Sequence, residues 1–410
     1  MENLLPNYKR PLKSTEEPSI ETKYWDEAKE AFDNKAYKQS LIAVINYLNS
    51  NVLKKVNTKD DINITQMHGS AEINIRIDET MLNIRVPFLK ITENTNEIAL
   101  LRKVAEVNFS RFDLAQISLD EDKLTINYEV PLELCQPFKI YTVLREICFR
   151  ADEFDDEFIE KYGAVFYKEP KRTPLSEKEK EKVWLQIDNV LDEYEKYSIY
   201  FKEKQWDGYQ WDMGVISLLK IANMPYVNGT LRHELMEQID LMYNGDNDFT
   251  YRVEKGRNYI KKLSSMSKQE FMDNVYHSEQ FISMLWKSSA PVVAEKMESY
   301  LETVEKYNKD ENSFAASYFL QGIFLKLIYN YHLEENYKNV VEDVLEKTSN
   351  LSPEEAAPKL LKVYYAMHTQ TLNAQIDEFI KPKKSFWDKL STTVSFIVVA
   401  YLILKYFIQG

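Results

Sequence analysis

The sequence predicts an α+β N-terminal domain, an antiparallel sheet with helices, followed by a mainly α-helical domain and a C-terminal transmembrane helix. Three observations predict it. Strict alternation of apolar and polar residues, the mark of a half-buried strand, is confined to residues 71–130. Helical periodicity occupies the remainder up to about residue 380. The last stretch from Thr392, TTVSFIVVAYLILKYFIQG, holds an apolar run between Val394 and Leu404 that no charged residue and only one serine interrupts.

Composition bounds the function classes. A chain of 410 residues exceeds one ordinary core, and 44% hydrophobic with 13% aromatic residues can fill two or three. Nine glycines and 29% charged residues favour long solvated helices over phosphate loops or barrels. The net charge of -13 repels phosphate backbones, so nucleic acid is not an expected partner. Cys135 and Cys148 are too few for a disulfide framework and too far apart for a C-x-x-C motif, which fits a reducing cytosol. The opening residues hold no basic region leading into an apolar run, so export by a signal peptide is not expected.

Residues 1–22, polar with several prolines, read as a flexible lead. Residues 23–168 then form a helical hairpin and the α+β domain. In the hairpin, Trp25, Ala28, Ala31, Phe32, Tyr37, Ser40, Leu41, Val44 and Leu48 fall at helical spacing, with a break at Asn34. Its small-aromatic pattern resembles one tetratricopeptide unit, but no second copy recurs, so the hairpin must pack on the adjoining strands and helices. Residues 71–78 place Ala71, Ile73, Ile75 and Ile77 on one face, and Leu82, Ile84, Val86 and Phe88 repeat the pattern across a short turn, giving an antiparallel hairpin. A helix comes next over 96–109, its stripe traced by Ile98, Leu101, Val104, Ala105 and Asn108. Strands return at 111–119 and 123–130, and two helices, 138–151 and 155–166, close the domain.

The stretches LLRKVAEVNF, RFDLAQISLDEDKLTINYEVPLEL and KIYTVLREICFRADEFDDEFIEKYGAVF carry a family resemblance. Over residues 66–167 the chain resembles the bacterial YbjN-type domain, within the type III secretion chaperone-like group. That resemblance implies a non-catalytic, partner-binding α+β domain that is often dimeric, so a homodimer stands among the expected partners. It brings no catalytic residue, and the family's usual small stand-alone form has neither the helical half nor the apolar tail.

The face opposite the sheet's core carries Asn74, Arg76, Asn83, Arg85, Asn127 and Glu129. Such a face is ordinarily solvated, and its alternative reading is a partner-binding surface. The acidic run Asp152, Glu153, Asp155, Asp156 and Glu157 reads as capping and charge compensation at a helix start, because a hard-cation site also needs an ordered loop of oxygen ligands.

Residues 169–182 read as a linker and 183–381 as a helical domain. Helices are expected around 184–201, 215–222, 231–243, 258–263, 291–307, 313–333 and 335–348. Ser267 with Glu270, and Ser352 with Pro353 and Glu355, mark two helix starts. His233-Glu234 begins like a zinc-protease helix, but Glu237 stands where the second histidine is needed. His68, His277, His332 and His368 form no ligand spacing, and no glycine-rich phosphate or nucleophile motif occurs, so no metal, cofactor or catalytic residue is expected. Trp206, Tyr209 and Trp211 read as core or a packed turn, with a ligand pocket as the alternative.

Residues 382–389 form a basic linker and 390–408 the anchor. Val394, Phe396, Ile397, Val398, Val399, Leu402, Ile403 and Leu404 supply the apolar surface of a helix close to the ~20 residues a bilayer core needs. Lys383, Lys384, Trp387 and Lys389 flank it on the side expected to face the cytoplasm, and Lys405 is placed to snorkel at the far interface. The function expected is that of a non-enzymatic, membrane-anchored cytoplasmic adaptor or chaperone-like protein that binds a protein partner. Two alternatives stay open: a soluble chaperone or signalling regulator whose last helix is core or a dimer contact, and an enzyme with an unrecognised site in the helical domain.

Overall fold

The computed structural model describes residues 5–373 apart from 13–17, 19, 20, 22, 59, 171 and 284. It has the expected antiparallel α+β region and a mainly helical remainder. The expected anchor lies outside the described residues, and among those described no helix is long and apolar enough to cross a membrane. The described residues divide into two compact units: one within 11–286, and one made of 287–373 together with 5–10.

In the first unit, α1 (Lys23–Asp33) and α2 (Tyr37–Leu48) form the expected hairpin. Their close approach follows from small residues, for Ser40 Oγ donates to the Ala28 carbonyl at 2.8 Å and both residues are fully buried. The sheet contains β1 (Ile62–His68), β2 (Ala71–Ile77), β3 (Met81–Lys90), β4 (Gln116–Asp120) and β5 (Lys123–Pro131), in the order β1-β2-β3-β5-β4. A short β6 (Val165–Phe166) adds to β3. All main pairings are antiparallel, and register places Ile64 opposite Ile75, Ile75 opposite Ile84 and Ile117 opposite Ile126. Pro87 cannot donate to the ladder, and β3 shifts register against β5 between Pro87 and Leu89.

Helices cover the apolar side. In α3 (Glu97–Ser110) the buried residues are Leu100, Val104 and Val107. The stripe expected from sequence was therefore rotated: Ala105 faces solvent and Ile98 is 69% exposed. The helix carries more apolar residues than its core face needs, and Phe109, at 93% exposure, is another surplus one.

The two closing helices expected from sequence are one, α4 (Pro137–Tyr162), of 26 residues. Its stripe of Leu144, Ile147, Cys148, Ala151, Phe154 and Phe158 runs buried straight past the acidic cluster. Those acids consequently do not cap a helix start. Asp155 is buried and takes a hydrogen bond from Ser70 Oγ in the β1–β2 turn, while Glu153 pairs with Arg150 and Glu157 with Lys161 at 3.0 Å.

The first unit continues through α5 (Glu177–Glu203), α6 (Asp207–Ala222), α7 (Gly229–Tyr243), α8 (Phe249–Ser265) and α9 (Lys268–Met272), with β7 (Arg172–Pro174) pairing β8 (Tyr276–Ser278). Both expected capping boxes form, Ser267 with Glu270 and Ser352 with Glu355. Phe281 and Ile282 join the same core as the sheet, and Asn49 donates to the Phe281 carbonyl at 3.1 Å.

The second unit holds α10 (Ala290–Glu298), α11 (Leu301–Lys309), α12 (Ser313–Asn330), α13 (Glu335–Thr348) and α14 (Pro353–His368). The helix expected over 291–307 is interrupted at Ser299–Tyr300. The buried residues of α12 run almost all round it, from Ala315 to Ile328, which makes it the central helix. Leu5 to Arg10 do not form a flexible lead: Leu5 has no exposed surface, and its N–H donates to the Leu351 carbonyl at 2.8 Å.

Gly163 ends α4 at φ +72, where an added Cβ would stand 3.0 Å from the Asn94 carbonyl oxygen. The turn also joins α4 to the start of α3, since Asn96 N–H donates to the Tyr162 carbonyl at 2.8 Å. Gly163→Ala is expected to lower stability by about 1–2 kcal/mol, the cost of forcing an L residue into the left-handed region. Urea denaturation checks this, and an unchanged midpoint would mean that the turn relaxes without strain.

Candidate functional site: the outer face of the sheet

Because paired residues of antiparallel strands share a face, register alone assembles the outer surface. One row runs Asn63, Arg76, Asn83, Glu129, and the next runs Thr65, Asn74, Arg85, Asn127, Gln116. All six candidate residues, Asn74, Arg76, Asn83, Arg85, Asn127 and Glu129, therefore lie together on two adjacent rows. The helices that cover the sheet pack on its opposite, apolar face.

The polar groups are lightly held. Arg76 reaches Asp61 at 3.2 Å and Arg85 pairs with Asp120, each guanidinium side chain more than half exposed. Thr65 Oγ1 donates to Asn74 Oδ1 at 2.9 Å, and Asn127 Nδ2 donates to Ser118 Oγ at 2.6 Å. Asn83 and Glu129 make no side-chain hydrogen bond or ion pair among the described residues. Toward one end the surface closes: Lys168 pairs with Glu72, which holds its ammonium above the usual lysine range, and Thr125 is fully buried.

The two edges differ. Asn108 of α3 closes β4, its Nδ2 donating to the Ile117 carbonyl and its Oδ1 accepting from Ile117 N–H, both at 2.8 Å. Glu146 accepts the N–H groups of Asp113, Leu114 and Ala115 just before that strand. Along β1 from Ile62 to Met67 no such cover is present among the described residues.

Among the described residues no group of histidine, cysteine or acidic side chains could hold a metal. His233 meets the ring of Phe149, and Glu234 binds Lys262 at 2.7 Å. A cleft of about 640 Å³ lies between β7, β8, α5 and α9, but its Lys180 is paired with Glu177, its Lys268 with Glu181, and its Arg172 stacks on Tyr276. Trp206 and Tyr209 pack with Phe201, and Trp211 donates to the Met242 carbonyl at 3.0 Å, which is the packed-turn arrangement. Both cysteines are buried, and burial pushes the Cys135 thiol up to about 12, far from thiolate reactivity.

Lys220 and Asp212 are among the ionisable groups missed from sequence. Lys220 is buried in α6 against Glu193 of α5 at 3.0 Å, and burial lowers its pKa while Glu193 opposes the shift. Asp212 is half-buried without an ion pair or hydrogen bond among the described residues, and burial pushes it up to about 7. Neither has a periodic signature, because each interrupts an apolar stretch by one residue.

The chain matches no known protein-family profile, and no curated protein matches it.

Two measurements test this geometry. Exposed pairs contribute about 0–1 kcal/mol, so Arg76→Ala with Arg85→Ala is expected to leave the urea midpoint almost unchanged. A loss of several kcal/mol would mean that the outer face is structural. Asp212 behaves oppositely to a paired acid. The fold keeps its proton up to about pH 7, whereas the unfolded chain loses it near its ordinary pKa of about 4. This contribution to stability therefore falls as pH rises between those values and is level beyond. Asp212→Asn is expected to raise the midpoint above pH 7 and to leave it near wild type at low pH, whereas an equal shift at both would show a charged, solvated carboxylate.

Proposed function

We propose that the protein is a non-enzymatic adaptor or chaperone-like protein that binds a protein partner, held at a membrane by its C-terminal apolar segment with the bulk of the chain cytoplasmic. One observation carries the reading: the sheet presents two rows of polar side chains whose ion pairs are exposed, beside a β1 edge that no side chain covers among the described residues. Groups of this kind exchange their contacts with water for contacts with a partner at small cost. The sequence resemblance to the secretion chaperone-like group supports the same reading, since it implies a non-catalytic, partner-binding α+β domain.

The anchor rests on the sequence of the segment. Val394 to Leu404 contain no charged residue, and the basic and aromatic flank of Lys383, Lys384, Trp387 and Lys389 favours retention of the adjoining chain on the cytoplasmic side. Confinement to a membrane raises the effective concentration of the binding face toward a membrane-associated partner.

Carbonate extraction compares the full-length chain with one ending at Lys389. The full-length chain is expected in the membrane pellet and the truncated one, still folded, in the soluble fraction. If both are soluble and the truncation is destabilised, the segment is core and the soluble chaperone takes the adaptor's place. Cross-linking in membranes then compares wild type with Arg76→Glu/Arg85→Glu, which is expected to lose the cross-linked species, and retention of every species would remove the outer face from the proposal.

A further inference from the structure

Residues Leu5 to Arg10 form no helix or strand, yet Leu5, Pro6 and Tyr8 are buried. Leu5 is fully buried and Tyr8 is 4% exposed. Main-chain bonds tie the segment to the turn after α13: Leu5 N–H donates to the Leu351 carbonyl at 2.8 Å and Asn350 N–H donates to the Leu5 carbonyl at 3.2 Å. Ser349 Oγ accepts Tyr8 N–H at 2.8 Å and donates to the Tyr8 carbonyl at 3.2 Å. From α12, the fully buried Gln321 donates its amide to the Pro6 carbonyl at 3.0 Å.

Arg10 completes the seat. Its guanidinium pairs with Asp343 and lies 3.4 Å from Glu342 and 3.7 Å from Glu346, and its N–H donates to Glu346 at 3.0 Å. These three acids occupy the C-terminal half of α13, where the helix dipole already adds negative potential. Glu342 is only 4% exposed, and a buried carboxylate is costly unless a cation meets it. The groove is thus built to receive a positive charge at one end and an apolar side chain at the other.

The segment is joined to this unit covalently only by way of residues 11–286, which belong to the other unit. Non-covalent contacts alone keep it in its seat, as for a ligand tethered at high effective concentration. We propose that the groove formed by α12, α13 and the α13–α14 turn is a docking site for an extended peptide of the pattern Leu-Pro-x-Tyr-x-Arg. The chain's own segment occupies it, and a partner protein presenting the same pattern competes for it. Main-chain bonds supply affinity, and the Leu, Tyr and Arg positions supply selectivity. This surface is separate from the outer face of the sheet, and the proposal does not depend on the adaptor reading.

The test uses the full chain carrying Leu5→Asp with Arg10→Glu, which empties the groove, and a fluorescent peptide LPNYKRPL read by anisotropy. Saturable one-to-one binding to the variant is expected, with little binding to wild type, whose groove is filled. The same peptide with glutamate at its arginine position is expected to bind roughly tenfold more weakly or worse, the usual loss when a charge-assisted contact is reversed. A folded variant that binds no peptide, or binds both peptides alike, overturns the proposal. Hydrogen exchange on the wild-type chain decides the matter if the variant does not fold. The Leu5 and Tyr8 amides are expected to exchange through local opening while α12 and α14 stay protected. Exchange of all of them together, only on global unfolding, would make the segment an inseparable part of the core and the proposal false.

Discussion

The period-two alternation of the sheet is the constraint on which the first unit depends. Ile62, Ile64, Ile73, Ile75, Ile77, Leu82, Ile84 and Val86 all point to one side and are at most 3% exposed. Each contributes about 1.5–3 kcal/mol only if that side is kept dry. The continuous 26-residue α4 answers this demand, with α3 and the α1–α2 hairpin flanking it. A one-residue slip in any pairing would turn apolar side chains to water and polar ones into the core, so burial of the inner face fixes the outer one as well. The polar rows around Arg76 and Arg85 are in this sense a by-product of the core, assembled without needing bonds among themselves.

The second unit solves a different problem. Its central helix α12 is buried nearly all round, whereas α13 carries acids into a partly buried groove. Arg10 offsets them from a distant part of the sequence, and Lys347 adds a bond to Asp343 at 3.3 Å on the solvent side. The pair Lys220 and Glu193 in the first unit is the same physics within neighbouring helices, where a buried cation is retained because its counter-charge lies 3.0 Å away. The difference is topological, since Lys220 comes from the helix next in sequence to the one that carries Glu193, whereas Arg10 arrives on a segment more than 300 residues away from α13.

What was legible in the sequence came from periodicity and capping. Strands β2, β3 and β5 announced themselves by strict alternation, and Ser267 and Ser352 by their acid three residues on. The six outer-face residues were legible because their positions are the complement of the apolar ones. The phase of α3 was not, since Ile98 and Ala105 are apolar without being core, and a stripe drawn through them is rotated from the true one. Strand β1 was missed because Gln66 takes an inward position opposite Ile73 and breaks the pattern. The continuity of α4 was hidden by acids that flank its buried stripe, and Asp155 within the core has a partner, Ser70, 85 positions away. The seat of Leu5 to Arg10 was illegible for the same reason: a proline-containing polar stretch reads as loop unless its distant partners are known.

Affinity and stability draw on different groups in this molecule, and that separation favours a binding role for the exposed surfaces. The inner face of the sheet is committed to the fold, and its side chains have no surface to offer. The outer rows contribute little to stability, because ion pairs such as Arg76 with Asp61 are solvated in the free protein. Their removal from water by a partner therefore costs less than the removal of a fully hydrated, unpaired charge, and the pairing partners can be exchanged rather than lost. Among the described residues no side chain bonds the outer main-chain groups of β1, whereas Asn108 and Glu146 hold main-chain groups on the β4 side. The sheet is thus asymmetric among the described residues, polar across its outer face and covered by side-chain bonds at β4 but not at β1, which is the arrangement that the proposed adaptor function would use.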